Sequence, residues 1–438
     1  MRARKRLKGP FVTQATRYNI GLRELLVFCL PLCFLTSVGN LYASSFGVAI
    51  TYLLVALVLF KSAFDLVHGQ GAWLKGLKAN SWLICLLMYS CASILWTEDK
   101  LRGLPIIVQL MTIASIAITS DGVRFHTASL PLASLPLKLN LLLNGAVFLI
   151  EFPAGFGQGF AGIYDNPNFC ATALFLSSFF LVLEYKASGN RLMLFMTACS
   201  VMMILFTGSR AVLLALSIAL AASLLPHAAK KRLFWPTIGL IAIFIYVYLY
   251  QAAQITRVEQ SGMVQTGKDI YTGRQIIWDY VLQRIQHGPW LGYGLGTVPA
   301  TYGGVHEYDG KSIHNLYLQT WYQTGMIGLI LLILTLWQKY KCLASVGGAA
   351  GEPAAGEPAQ LAATYLLGIL VIQTFEVDLT QNNFAAALGM WLIITFSGTA
   401  VGQTRALPVL RPRRRLPPRA KAGQGKRTRR TYRPIGGL

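Results

Sequence analysis

The feature that most constrains this chain is a series of apolar runs, each roughly 15 to 24 residues long and nearly free of Asp, Glu, Lys and Arg. A bilayer core needs about 20 such residues per helix, with a range of roughly 17–25. Inside hydrocarbon every backbone N–H and C=O must be paired within the protein, so only helices and closed barrels span it. Barrel strands alternate apolar and polar residues, whereas these runs are apolar all round, which leaves an all-α polytopic membrane protein. Composition agrees: 54% hydrophobic and 13% charged, against roughly 45–50% and about 25% in ordinary soluble domains. A soluble globular enzyme is excluded. The runs predict about twelve transmembrane helices, near 22–38, 46–60, 81–96, 104–119, 137–152, 168–184, 192–206, 210–225, 233–250, 315–337, 361–375 and 383–400. Several fall short of a full crossing, and the Gly39–Asn40 break leaves a re-entrant first pair open.

Charge sets the orientation, because Lys and Arg concentrate in cytoplasmic loops. The first 23 residues carry seven Lys or Arg, and the stretch from 402 carries twelve with no acid. Placing both ends in the cytoplasm puts thirty-one of the thirty-nine basic residues inside and eight outside, with eleven of seventeen acids outside. The net charge of +22 is therefore a topology signal, and no nucleic-acid partner is expected. The expected organisation is a basic cytoplasmic tail over 1–21, helices 1–9 over 22–250, one large outer loop over 251–314, helices 10–12 over 315–401 with a cytoplasmic linker at 338–360, and a basic, disordered cytoplasmic tail over 402–438. That last segment is expected to be attracted to anionic membrane lipids. Six of the seven cysteines fall in spans, so no disulfide framework is implied. The basic start lacks a clear cleavage site and reads as an uncleaved first span.

The outer loop is the long exception among short connections, and long loops in compact architectures are usually functional. Thr272-Gly-Arg-Gln275 fits a capping box, and Ile277, Val281 and Ile285 recur at helical spacing. Residues 272–287 thus predict an amphipathic helix lying on the membrane. It ends at Gly288-Pro289, and Gly292-Tyr-Gly-Leu-Gly296 turns the chain. That glycine series is no dinucleotide fingerprint, for it follows a helix and lacks the strand before and helix after. The tandem Ala-Gly-Glu-Pro-Ala at 350–359 reads as a solvated linker.

Span centres carry almost no ionisable groups, so the carboxylate relay of many ion-coupled transporters is missing. Reactive groups gather instead at the outer boundary: Arg210 opening the eighth span, Arg274 opening the surface helix, and Ser312-Ile-His314-Asn315 before the tenth. Each has a plain structural reading, as a snorkelling anchor, a lipid-phosphate contact or a helix-entry residue with Ser312 or Asn315 capping. Taken together they offer chemistry. An imidazole accepts a proton from an attacking hydroxyl, and two guanidinium forks hold a pyrophosphate and neutralise the charge that grows as it leaves. These groups suit glycosyl transfer from a lipid pyrophosphate donor. No outer His, Cys or Asp cluster shows clean metal-ligand spacing, and Glu307-Tyr-Asp309 reads as a solvated acid pair.

At these residues the chain resembles the O-antigen ligase and polymerase superfamily of bacterial membrane glycosyltransferases. The matching features are Gly162-Ile-Tyr-Asp-Asn-Pro-Asn168, Gly-Ser-Arg210, Gly-Arg274 with Trp278, Pro289-Trp-Leu-Gly-Tyr-Gly-Leu-Gly296, and His314-Asn-Leu-Tyr-Leu318 followed by Gly325-Met-Ile-Gly328, in the family's order. The resemblance implies an inner-membrane enzyme with a GT-C-like fold, a large periplasmic loop, cytoplasmic termini and a periplasmic active site. It implies an undecaprenyl-pyrophosphate-linked glycan donor, a lipid A-core acceptor, and neither metal nor cofactor. Carried over, Arg210 and Arg274 bind the donor pyrophosphate and His314 is the base in an inverting single displacement. Asn315, Asn166 and Asn168 stand as supporting residues, the last two in a motif with no derivable chemical role. Within the superfamily, lipopolysaccharide O-antigen ligation is favoured over polymerisation of the lipid-linked glycan or glycosylation of protein. A glycolipid transporter is the alternative from another class, but the spans offer only scattered amides such as Gln109, Asn144 and Gln373 as a polar path.

Overall fold

A computed structural model describes residues 22–34, 45–68, 72–120, 125–126, 130–155, 159–260, 274–301, 310, 312–345, 353–381, 383–396 and 399–400. The basic stretches 1–21 and 402–438, Thr272 of the predicted cap and the Glu307–Asp309 pair lie outside the described residues. Apart from a two-residue parallel pairing of Phe125–His126 with Thr399–Ala400, the regular elements are helices. Leaving aside single turns, they are α1 (Leu22–Phe34), α2 (Ser45–His68), α3 (Ala72–Ala79), α4 (Ser81–Ser93), α5 (Lys100–Ser120), α6 (Leu135–Glu151), α7 (Pro167–Ser188), α8 (Arg191–Thr207), α9 (Arg210–Leu224), α10 (Phe234–Gln260), α11 (Arg274–His287), α12 (Leu316–Ser345), α13 (Pro353–Ile372) and α14 (Phe384–Ile394).

Each predicted apolar run overlaps an apolar helix among the described residues. Among the described residues, Lys100–Thr119, Leu130–Glu151, Pro167–Ser188 and Leu316–Ser345 are long and apolar enough to cross a bilayer, judged by length and composition, and eight further apolar helices run 10–17 residues. Helix α7 has no polar face, and a helix apolar all round must be buried on all sides. Phe169 to Leu181 are accordingly buried without interruption, and α14 is buried from Ala385 to Ile394. The helices around them turn large apolar side chains outward, among them Leu101, Leu149, Ile150 and Leu224, each at least 74% exposed. Water would penalise such a belt; lipid does not. Close approach between helices runs through small residues, the usual device where lipid removes the hydrophobic drive. In α9 and α13, a Cβ on Gly368 would sit 2.9 Å from the Ala215 carbonyl oxygen.

Polar contacts sort the helix ends into two sets. At one end Lys186 pairs with Glu357 at 2.9 Å, both act on the charge of Lys230, and the Tyr340 hydroxyl donates to the Lys230 carbonyl. Lys138 pairs with Glu184 at 2.8 Å, and Gln338 donates to the Ser81 hydroxyl at 3.4 Å. This end gathers the C-terminal turns of α7 and α12, the starts of α4, α6 and α13, and the connection after α9. The other end holds the start of α9, the start of α12 and the turn after α13. Its contacts include Phe160 N–H to the Phe206 carbonyl, Tyr293 N–H to the Tyr322 carbonyl and Leu316 N–H to the Gln373 carbonyl. Thus Arg210, His314 and the turn after Ile372 share one end, as the alternation of charged loops predicts.

Helix α10 continues to Gln260, so the segment expected as outer loop from 251 opens as helix beyond the apolar stretch Phe234–Val247. Two expectations are corrected. The 338–360 linker is largely helical: α12 runs to Ser345 and α13 starts at Pro353, so the second Ala-Gly-Glu-Pro-Ala copy is helix and its Glu357 is held by Lys186. Helix α11 does not lay its apolar face on lipid. Ile277, Trp278 and Val281 are buried against Ile313, Leu318 and Tyr322 of the same protein, since a tertiary partner saturates the stripe that periodicity could only mark as apolar.

Candidate functional site

Helix α11 begins at Arg274 and is anchored by Trp278, which is fully buried and donates its indole N–H to the Ile313 carbonyl at 2.8 Å. That bond fixes the loop ahead of α12. Ser312 donates to Gln319 at 2.9 Å, and Ile313 N–H donates to the same amide oxygen at 3.1 Å. Asn315 caps α12, its Oδ1 accepting from Leu318 N–H at 3.0 Å. Between them sits His314 with φ of 52°, the one positive-φ residue other than glycine among the described residues. Such backbone is costly for a residue with a Cβ and persists where surrounding contacts hold it.

The side chain that joins these elements is Glu376, in the turn between α13 and α14. Its Oε1 accepts from Arg274 Nη2 at 2.9 Å, and its Oε2 lies 3.4 Å from His314 Nδ1. The three side chains remain 19%, 33% and 18% exposed for Arg274, His314 and Glu376, so they face outward from a packed base. The turn is tied down locally: Leu316 N–H is shared by the Gln373 and Glu376 carbonyls at 2.9 and 3.2 Å. A buried amide chain then holds it to the rest, Gln319 donating to Gln381 at 2.6 Å, Gln381 to Gln323 at 2.7 Å, and Gln323 to the Thr297 carbonyl at 3.1 Å. A satisfied network of this kind rigidifies what it connects.

Electrostatics separate the two acids of this turn. Burial pushes the Glu376 carboxyl upward, but the His314 hydrogen bond and the Arg274 charge outweigh it and hold Glu376 below its ordinary range. Asp378 is held well above the usual carboxylate range by burial and by the Glu376 charge, against the pull of Arg274. Above the ordinary aspartate value of about 3.9, the unfolded chain releases a proton that the fold keeps on Asp378. Stability therefore falls as pH rises from there to the raised folded value. Asp378→Asn removes that loss. Its thermal melt is expected to lie above the parent's at neutral pH and to coincide with it in acid; the opposite order at neutral pH would mean that ionised Asp378 supports the fold.

The other predicted residues sort as follows. Arg210 is exposed at the first turn of α9, at the same end of the protein, on a helix that packs along α13. Asn166 caps α7, its Oδ1 accepting from Asn168 N–H at 2.8 Å. The rest of its motif is a lock on α6: Ile163 N–H donates to Asn144 at 3.1 Å and the Tyr164 hydroxyl to Asn140 at 2.7 Å. Gly162 has φ of 62°, and a Cβ there would meet Asn144 at 2.0 Å. The glycine series also packs rather than binds: Cβ atoms on Gly292, Gly294 and Gly296 would run into Gly325, Thr97 and Gly103. Asn315, fully buried, finds no partner for its Nδ2 among the described residues. Glu376 was missed by the sequence reading. Its signal was present, as two acids in a turn flanked by Gln373 and Gln381 between apolar runs.

Residues 193–333 match the family model described as O-Antigen ligase. The match covers 141 of the 438 residues and is a similarity of that segment to the family. It takes in Arg210, Arg274 and His314, while Glu376 lies beyond its C-terminal limit. No curated protein matches the chain. Together with the long apolar helices, this similarity fits a membrane protein. Among the described residues no group of three or more His, Cys, Asp or Glu is placed to hold a metal ion.

Proposed function

We propose that this protein is an O-antigen ligase of the bacterial inner membrane, with a GT-C-like arrangement of about twelve spans. It transfers a glycan from undecaprenyl pyrophosphate to a sugar hydroxyl of lipid A-core on the periplasmic face. The observation that carries this reading is Glu376, which accepts from Arg274 while facing His314 Nδ1. A carboxylate there orients the imidazole so that Nε2 faces the acceptor, and stabilises the imidazolium that forms, as in other base–carboxylate pairs. The acceptor oxygen attacks C1 as its proton passes to His314 Nε2. The bond from C1 to the pyrophosphate oxygen breaks, and the leaving group departs with the electron pair. Attack from the opposite face inverts the anomeric centre. Arg274, with Arg210 at the same helix end, neutralises the departing pyrophosphate. The basic end with Lys186, Lys230 and Lys138 is then cytoplasmic, by the same charge rule that orients the spans.

Reconstitution tests this directly. Purified protein, undecaprenyl-pyrophosphate glycan and lipid A-core are combined in the presence of a chelator, and the lipid A-core band is followed on a gel. An upward shift is expected. Lengthening of the donor's own glycan would establish the polymerase instead, and glycan appearing on neither would reject both. In the same assay Arg274→Lys is expected to lose on the order of tenfold or more in rate, because a point charge cannot reproduce a planar fork shared between carboxylate and phosphate. Full activity would restrict Arg274 to holding the turn.

A further inference from the structure

A second surface, aromatic and apolar with a charged rim, lies at the far end of α11. An open groove of about 200 Å³ runs between the end of this helix, the 288–293 turn and α12, lined by Gln286, Trp290, Tyr293, Trp321, Tyr322 and Met326. The Tyr293 ring is the flat wall, backed by the buried Tyr322 ring that stacks on it with centroids 4.6 Å apart and planes at 25°. Trp290 is 86% exposed beside it. The turn that carries these rings is fixed, for Tyr293 and Gly294 N–H donate to the Tyr322 and Gln323 carbonyls at 2.9 and 2.8 Å.

At the rim stands Arg284. Its guanidinium lies 5.5 Å from the centre of the Tyr280 ring and donates to the Tyr280 hydroxyl at 3.1 and 3.2 Å. It also acts on Tyr293 and Tyr322, the wall and the ring behind it. Among the described residues it has no ion-pair partner, whereas Arg274 and Arg102 each have one. A hydrocarbon chain would fill the groove but offer nothing to that charge. A saccharide presents C–H faces to aromatic rings and hydroxyls to Gln286 and the Tyr and Trp tips. Only one that also carries an anion answers the guanidinium, which matches phosphate and carboxylate through two parallel hydrogen bonds. From Arg274 to Gln286 is twelve residues of helix, about 18 Å at the α-helical rise. A glycan reacting at His314 would therefore reach the groove several sugars away from the new bond.

We infer that the groove between the end of α11 and α12 is a glycan subsite that holds an anionic saccharide, phosphorylated or uronate-bearing, with Arg284 on its anion and Trp290 and Tyr293 on its rings. This rests on the reading of the protein as a glycan transferase, and it assigns the groove to substrate at a distance from the chemistry.

Isothermal titration of the full chain in nanodiscs tests it. The probes are the phosphorylated core oligosaccharide of deacylated lipopolysaccharide, the same oligosaccharide after phosphatase treatment, and a uronate-bearing glycan released from undecaprenyl pyrophosphate. Binding of the phosphorylated core assigns the groove to the acceptor, and binding of the released glycan assigns it to the donor. Either is expected to weaken about tenfold or more in Arg284→Gln, the effect of losing the charge-assisted pair of hydrogen bonds. Trp290→Leu, which keeps an apolar anchor, is also expected to weaken it, and dephosphorylation is expected to do so for the core. Arg284→Lys, with an intermediate loss, guards against a variant that fails to fold. Absence of binding by the parent, or affinities unchanged in both Arg284→Gln and Trp290→Leu, would overturn the subsite and leave an interfacial aromatic girdle. His314→Ala is expected to bind as the parent does, so loss of the subsite and loss of the transferase reading give different results.

Discussion

His314→Ala is expected to leave the protein in the membrane with a parental melting temperature and to remove glycan transfer, by on the order of 10²–10⁴-fold for loss of a general base. The size of the effect follows from position. His314 is held in a left-handed backbone conformation between Ser312 and Asn315, each bonded to α12, so its ring is presented by a scaffold that does not depend on the ring itself. The imidazole contributes only a half-exposed contact to Glu376 at 3.4 Å. Its removal therefore costs little stability and nearly all of the proton transfer. Near-normal product from a well-folded His314→Ala protein would end the proposal that this residue is the base.

The second large effect is expected at Glu376, through the groups that it positions. Glu376→Ala releases the Arg274 guanidinium and the His314 ring together, and a fall in kcat approaching that of His314→Ala is expected. A positioning role has a signature that a merely structural one lacks. On the His314→Ala background, Glu376→Ala should cost much less than on the parent, because most of its effect passes through the ring already removed. Glu376→Gln, which keeps one acceptor for Arg274 and loses the charge, is expected to retain the fold and part of the activity. Independent, additive losses for the two substitutions, measured as kcat with melts alongside, would show that Glu376 does not act through His314.

The helices of this protein were legible because the information is local. Span placement follows from apolar runs, and the shared end of Arg210 and His314 follows from counting alternations of basic loops. Terminal details were legible for the same reason: the Asn166–Pro167 start of α7 and the Asn315 start of α12 are cap signals readable over three or four residues. The extent of α10 to Gln260 and of α13 back to Pro353 was not, since helix continuation past an apolar run depends on what the next turns meet, here Lys186 for Glu357. The surface helix shows the limit most clearly. Its stripe of Ile277, Val281 and Ile285 has the same period whether lipid or protein covers it, and only the packing of Ile313, Leu318 and Tyr322 on Trp278 decides.

By itself, then, the sequence determined a membrane-embedded helical chain, the spacing of its spans, and three reactive side chains placed near one boundary, because hydropathy, charge bias and short motifs act over a few residues. Tertiary structure decided that Arg274 and His314, forty residues apart, meet on Glu376, sixty-two residues beyond His314. It also decided that three glycines near 294 exist for close packing. Those outcomes depend on which helix lies against which, and the energy that selects a neighbour is spread over whole packed faces with no local mark in the chain.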